Sequence, residues 1–224
     1  MNVLIACEES QRVCCAFRNK GHDAFSCDLQ TPSGGHPEWH ILGDAVALIN
    51  GYCRFETMDG QFHSVAGKWD LIIAHPPCTY LTKASAVRMR IKGEINKDRY
   101  KKAMEGKELF SQFLNADCPK IAVENPVPMK MVGLPPCSQI IEPYEFGHPY
   151  SKKTCLWLKN LPPLMPTEII VGSGVVPYVN GGCKNKDGSY RRFTGRRERD
   201  MKNRSKTFDG IAEAMAEQWG RDYL

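Results

Sequence analysis

Five short stretches carry most of the side chains that could do chemistry, and each sits at the end of an apolar run or beside one. Cys7-Glu8-Glu9-Ser10 follows Val3–Ala6, and Asp28 closes the run from Asp23. Gly43-Asp44 comes next, His75-Pro76-Pro77-Cys78-Thr79 follows Trp69–Ala74, and Glu124-Asn125-Pro126 follows Ile121–Val123. In an open α/β sheet, ligands bind at the carboxyl ends of strands, so these residues would line one edge in order. An acid after the second strand suits the ribose hydroxyls of a nucleotide-like cofactor. A cysteine on a tight turn becomes a nucleophile when its surroundings favour the thiolate. Each residue also has a plainer use. Cys78 alone reads as a buried thiol, Asp28 can simply end a strand, Asp44 can cap a short helix, and Glu8 or Glu9 can complement a helix dipole. His75 reads as a loop hydrogen-bonder and is given no catalytic step.

The elements that must position these residues follow from periodicity. Val3–Ala6, Asp23–Asp28, Trp69–Ala74, Ile121–Val123, Ser138–Glu142 and Thr154–Leu158 read as strands. Ser10–Lys20 has helical spacing, with Val13, Ala16 and Phe17 on one face and Gly21 as its stop. Asp44–Asn50 is a short helix. Lys97–Ala116 is a long amphipathic one, with Tyr100, Met104, Leu109, Phe113 and Leu114 as its apolar side. Cys53–Val65 reads as an inserted hairpin turning at Met58-Asp59-Gly60. Strands alternating with helices imply a mostly parallel sheet covered on both faces. After Leu161 the chain is rich in proline and glycine, and it ends in a helix with Phe208, Ile211, Met215 and Trp219 at core-facing spacing.

With 224 residues, 42% apolar and 25% charged, the composition is that of one globular domain with at most a small appendage. No apolar run approaches a membrane span. The opening Met1-Asn2-Val3-Leu4-Ile5-Ala6 lacks a basic n-region and reads as a strand, which points to a cytoplasmic protein with no membrane contact. The ten cysteines contain no CxxC. They read as reduced thiols rather than a disulfide framework, and Cys137, His148, Cys155 and Cys183 lack diagnostic metal spacing, so no metal is expected. Between Lys184 and Lys206 ten Lys/Arg stand against three acids. Tyr190 and Phe193 lie among the arginines. A basic stripe interleaved with aromatics fits a polyanion surface, with Arg191, Arg192, Arg196 and Arg197 as its candidate phosphate contacts.

Pro77-Cys78 after a buried strand, with Glu124-Asn125 one strand later, resembles the pyrimidine C5-methyltransferases, most familiarly the DNA cytosine-5 enzymes. The resemblance runs in order along almost the whole chain. Asp28 falls where the family's ribose-binding acid stands, and Gly43-Asp44 where an adenine-contacting Asp stands. The segment from Phe146 to Thr154 resembles the one that sends a basic residue into the active site, and the helix Phe208–Trp219 resembles the carboxy-terminal helix that returns beside strand one. The resemblance implies an α/β fold of the class I S-adenosylmethionine-dependent methyltransferase type, Rossmann-like, with a small basic recognition segment. Residues 1–163 would be the catalytic core, 164–206 the recognition segment and 207–224 the returning helix. It implies a catalytic set of Cys78, Glu124, Asn125 and Lys153, with Lys152 and Lys153 standing where the family prefers arginines. Glu8, Glu9, Asp28, Asp44 and Pro76 would hold S-adenosylmethionine.

The implied activity is C5 methylation of cytosine in DNA. Cys78 would add to C6, Glu124 would hold or supply the N3 proton, and the prolines would restrict the turn. The target base must leave the duplex or be single-stranded. Two alternatives stand beside it. The short recognition segment suits RNA or a free pyrimidine nucleotide, and the glycine-free loop after strand one suits a catalytically silent module that binds nucleic acid or protein. Compact size points, by analogy, to a bacterial or phage-encoded enzyme.

Overall fold

A computed structural model describes residues 1–172, 174–178 and 201–221. Seven strands form one sheet: β1 (Asn2–Ala6), β2 (Asp23–Asp28), β3 (His40–Leu42), β4 (Leu71–Ala74), β5 (Ile121–Pro126), β6 (Gln139–Ile141) and β7 (Thr154–Lys159), in the order β6-β7-β5-β4-β1-β2-β3. The five strands from β5 to β3 run parallel. β7 is antiparallel to both β5 and β6. The molecule is thus a mixed α/β protein with a large, mostly parallel central sheet.

The central strands are apolar on both faces, as a covered parallel sheet requires. Val3, Ile5, Leu71, Ile73 and Ala122 face one layer, while Leu4, Ala6, Ile72, Ala74, Ile121 and Val123 face the other. The first layer is α1 (Arg12–Asn19) together with α3 (Asp209–Trp219), which contributes Ile211, Met215 and Trp219. The Trp219 indole is fully buried and donates to the Pro162 carbonyl at 3.0 Å. The helix enters tightly. A Cβ on Gly210 would lie 2.0 Å from the Phe146 carbonyl oxygen, and the Gly210 amide donates to His148 Nε2.

The second layer is α2 (Lys97–Leu114) with the turn at Ala45–Ala47 and the hairpin Cys53–Glu56/Phe62–Val65. The hairpin and the length of α2 agree with the sequence. The buried side of α2 agrees in part: Phe113 is buried and Met104, Leu109 and Leu114 pack partly buried against the core, but Ala103 and Phe110 join them and Tyr100 is exposed. The small residues Ala103 and Gly106 face the protein because Leu81 packs there, 3.2 Å from where a Gly106 Cβ would be. No helix among the described residues is long and apolar enough to cross a membrane.

Candidate active site

The carboxyl ends of β1, β2 and β4 open into one cleft of about 540 Å³. Its lining includes Glu8, Glu9, Asp28, Asp44, His75, Pro77 and Cys78, with Leu109 and Phe113 of α2 as an apolar wall. The residues that follow β1, β2, β3 and β4 are therefore gathered in one place, whereas Glu124 and Asn125 of β5 do not line the cleft.

β1 is followed by Cys7 at φ 58° and α1 begins behind Gln11, also at φ 58°. Between them the chain folds back so that the Glu8 carboxylate takes the amides of Val13 at 2.6 Å and Cys14 at 3.1 Å. Glu8 thus satisfies free donors at the start of the helix. Glu8 is buried, and that burial pushes its pKa up against the pull of His75 and the two amides. Gln11 is fully buried and ties α1 to β2 through Ser26 Oγ and to the loop after it through the His36 backbone. Asp28 accepts from the Gln30 amide at 2.9 Å. Asp44 caps the Ala45–Ala47 turn by accepting from Val46 at 3.0 Å, so it serves the backbone and still lines the cleft.

The parallel pairing of β4 and β5 continues past its last backbone rung, Ala74 opposite Val123. At the next position His75 Nδ1 meets Glu124 Oε2 at 2.9 Å, with the two side chains only 11% and 12% exposed. At the one after, Asn125 Nδ2 donates to the Pro76 carbonyl at 2.9 Å. Burial opposes charge on both His75 and Glu124. Their mutual hydrogen bond and attraction outweigh it, raising the His75 pKa and lowering that of Glu124. Glu8 adds to the upward pull on His75, and Lys152 adds to the downward pull on Glu124.

Cys78 begins the next turn, its carbonyl accepting from the Leu81 amide at 3.0 Å. Burial and the Glu124 charge raise its thiol pKa, while Lys152 and Arg204 oppose that rise. The other two thiols of the cleft, Cys7 and Cys27, are both pushed up to about 12 by burial and by the Asp28 and Asp44 charges. Among the three, Cys78 is the one whose thiolate is favoured by nearby cations.

The structure sorts the remaining expected residues. Pro76 is buried and does not line the cleft; Pro77 does. The Asn125 side chain is 1% exposed and is committed to Pro76, so it shapes the turn. Lys152, not Lys153, is the basic residue beside Glu124 and Cys78, and its ammonium is anchored on the Arg204 carbonyl at 3.0 Å. Lys153 faces Glu142 instead. Arg191, Arg192, Arg196 and Arg197, with Cys183, lie outside the described residues. Among those described, no group of three or more His, Cys, Asp or Glu could hold a metal. Cys137 hydrogen-bonds Cys155, while His148 packs on Phe208.

Two features went unread in the sequence. One is the His75–Glu124 pair, whose signal was a histidine and an acid at matching positions after adjacent strands. The other is a second basic run: residues 83–107 carry nine Lys/Arg against three acids. Lys83, Arg88, Arg90, Lys92, Lys97 and Lys101 of this run are exposed, and Arg99 and Lys102 lie over the Tyr80 ring at 4.9 and 5.5 Å, two residues beyond Cys78.

No protein-family model matches the chain, and no curated protein matches it either. Among solved structures, one described as a candidate DNA modification methyltransferase encoded within an E. coli prophage is similar, at 14% identity and a TM-score of 0.44. The match covers 76% of this chain and 52% of that one, so the chain spans about half the length of the structure it matches.

Proposed function

We propose that the protein is a class I S-adenosylmethionine-dependent methyltransferase that methylates C5 of a pyrimidine in nucleic acid, with cytosine in DNA as the substrate the sequence resemblance implies. One observation carries this reading. A single cleft holds the two carboxylates suited to a nucleoside, Asp28 and Asp44, and at its other side a thiol flanked by Glu124, His75 and Lys152. The parallel half of the sheet has the strand order 3-2-1-4-5, whose carboxyl edge is the usual place for a nucleotide.

The cleft fits the cofactor. Its volume is in the range of small-molecule sites. Leu109 and Phe113 offer an apolar wall to an adenine, Asp28 and Asp44 offer acceptors to hydroxyls and amines, and Glu8 and Glu9 offer carboxylates to an ammonium. When bound, the cofactor supplies an electrophilic methyl group for C5.

The protein's own residues prepare the base. C5 of a pyrimidine is too weak a nucleophile until Cys78 thiolate adds to C6. The electron pair of the C5–C6 double bond then becomes available at C5, and the charge shared with the ring is absorbed by a proton held at N3 against Glu124. Lys152 and Arg204 favour the attacking thiolate. Asn125 fixes the turn that carries the sulfur by holding the Pro76 carbonyl. Loss of the C5 proton to water returns an electron pair to the ring and expels Cys78 as thiolate. The exposed cations of residues 83–107, which follow the thiol in the chain, suit phosphates.

The test is a trap. DNA containing 5-fluorocytosine cannot lose fluorine as a cation, so elimination stalls and the Cys78–C6 bond persists. A cofactor-dependent, gel-stable adduct that vanishes in Cys78→Ala is expected. Methyl transfer that survives in Cys78→Ala would refute covalent catalysis through this thiol.

A further inference from the structure

Glu124 is a largely buried carboxylate, one oxygen of which is already engaged by an imidazole. A second carboxylate, Glu8, faces the same imidazole from the segment before α1, and Lys152 faces the pair from the segment before β7. Cys78 and Arg204 complete the ionisable groups around it. An uncompensated buried charge is strongly unfavourable. A protonated His75 gives the Glu124 carboxylate a directly hydrogen-bonded counter-charge. The other ring nitrogen of His75, Nε2, is buried and has no partner among the described residues.

Resting on the pyrimidine reading above, we infer that His75 is the positioning residue that holds Glu124 as a carboxylate, so that the site grips a pyrimidine through an N3–H donor. An ionised carboxylate only accepts hydrogen bonds. Neutral cytosine turns an N3 lone pair toward it, and two acceptors then face each other. A ring with a proton on N3 is complementary. Two substrates share that chemistry: a uracil-type base, which already carries the proton, and a cytosine that takes one from solvent as it binds. For cytosine the proton enters with the base, stays on N3 while the Cys78–C6 bond exists, and leaves after elimination. For uracil no proton is exchanged at N3 on binding. In both cases His75 keeps its own proton throughout and acts only by fixing the charge of Glu124.

The experiment compares adduct formation on two otherwise identical duplexes, one with 5-fluorocytosine and one with 5-fluorouracil, in the presence of S-adenosylmethionine. Both adducts need the Cys78 thiolate, so the ratio of their rates isolates the N3 proton. Over about pH 6 to 7.5 the wild-type ratio should move toward fluorouracil by up to about tenfold per unit, the slope of one linked proton. His75→Gln keeps a donor to Glu124 and removes the cation, so Glu124 takes up a proton and can donate to cytosine N3. The ratio should then swing toward fluorocytosine by about tenfold or more. An identical ratio in both proteins overturns the inference. A second readout needs no substrate: imidazole carbon shifts of the full chain should show His75 titrating above the ordinary histidine range, and falling in Glu124→Gln. Titration at or below that range overturns the inference alone. No adduct on either base overturns the pyrimidine reading and this inference with it.

Discussion

Asn125 Nδ2 donates to the Pro76 carbonyl at 2.9 Å, one rung beyond the His75–Glu124 contact, and together the two side-chain bridges extend the β4–β5 pairing into the turn that carries Cys78. The consequence is that the thiol and the acid are fixed relative to each other by the sheet. Asn125→Asp should expose this. A carboxylate cannot donate to the carbonyl, and it would add a buried negative charge beside Glu124. We expect a loss of about 1–3 kcal/mol in stability, the usual cost of a buried group left without its partner, read as a lower denaturant midpoint, together with slower adduct formation at unchanged cofactor affinity. An unchanged midpoint would mean the bridge is dispensable.

The thiol offers a separate handle. Glu124 pushes the Cys78 pKa upward while Lys152 and Arg204 oppose it. Replacing Glu124 by Gln removes a negative charge near the sulfur, so the thiolate fraction at a given pH should rise. Iodoacetamide labelling of Cys78, followed by peptide mass, should become faster in Glu124→Gln and slower in Lys152→Gln, with both profiles rising with pH. Cys7 and Cys27, held up near 12, should stay unlabelled under the same conditions. Slower labelling in Glu124→Gln would contradict the arrangement of charges described above.

Much of this architecture was legible because β1, β4 and the start of β5 are buried on both faces and appear as unbroken apolar runs, so that they and the polar residues after them could be placed from that alone. β3, three residues with Leu42 half exposed, carries no such signal. Cys78, Glu124, Asp28 and Asp44 followed, since each stands at a strand end. What escaped depends on partners distant in the chain. The His75–Glu124 contact exists only once β4 and β5 are in register. Lys152 and Lys153 are adjacent, and which one turns to the site is set by the pairing of Tyr150–Ser151 with Val176–Pro177 and by the Arg204 carbonyl. On α2 the eye favours large residues such as Tyr100, but the close approach of Leu81 selects Ala103 and Gly106.

The cofactor reading can be separated from helix capping. Asp44→Ala would remove both the cap on Val46 and the charge, at about 1 kcal/mol of stability. Asp44→Asn keeps a capping oxygen and removes only the charge. If Asp44 and Asp28 contact the cofactor, Asp28→Asn and Asp44→Asn should weaken S-adenosylmethionine binding several-fold by calorimetry with little change in melting temperature. Equal affinity in both variants would remove the cofactor from this end of the cleft.

The proposed nucleic-acid surface can be tested against an internal control, because two exposed hairpins among the described residues differ in charge. The hairpin Arg90–Ile91/Glu94–Ile95 exposes Ile91 and Ile95 among Arg90, Lys92, Lys97 and Lys101. The hairpin Cys53–Glu56/Phe62–Val65 exposes Phe62 under the Arg54 guanidinium, but Glu56 and Asp59 offset that charge. Similar apolar exposure with different charge lets electrostatics decide. Each phosphate neutralised contributes about 0.9 to the slope of log affinity against log salt. Lys92→Glu, Lys97→Glu and Lys101→Glu together should therefore weaken binding to a DNA duplex and flatten that slope by about 2 to 3 if all three touch phosphates. Reversal of Arg191, Arg192, Arg196 and Arg197 should do the same if that stripe is a second contact, whereas Arg54→Glu should leave both affinity and slope unchanged. Fluorescence anisotropy across a salt series measures all of these without requiring methyl transfer. An equal loss in Arg54→Glu would reduce the effect to net charge, and an unchanged slope in the triple variant would remove residues 83–107 from the interface.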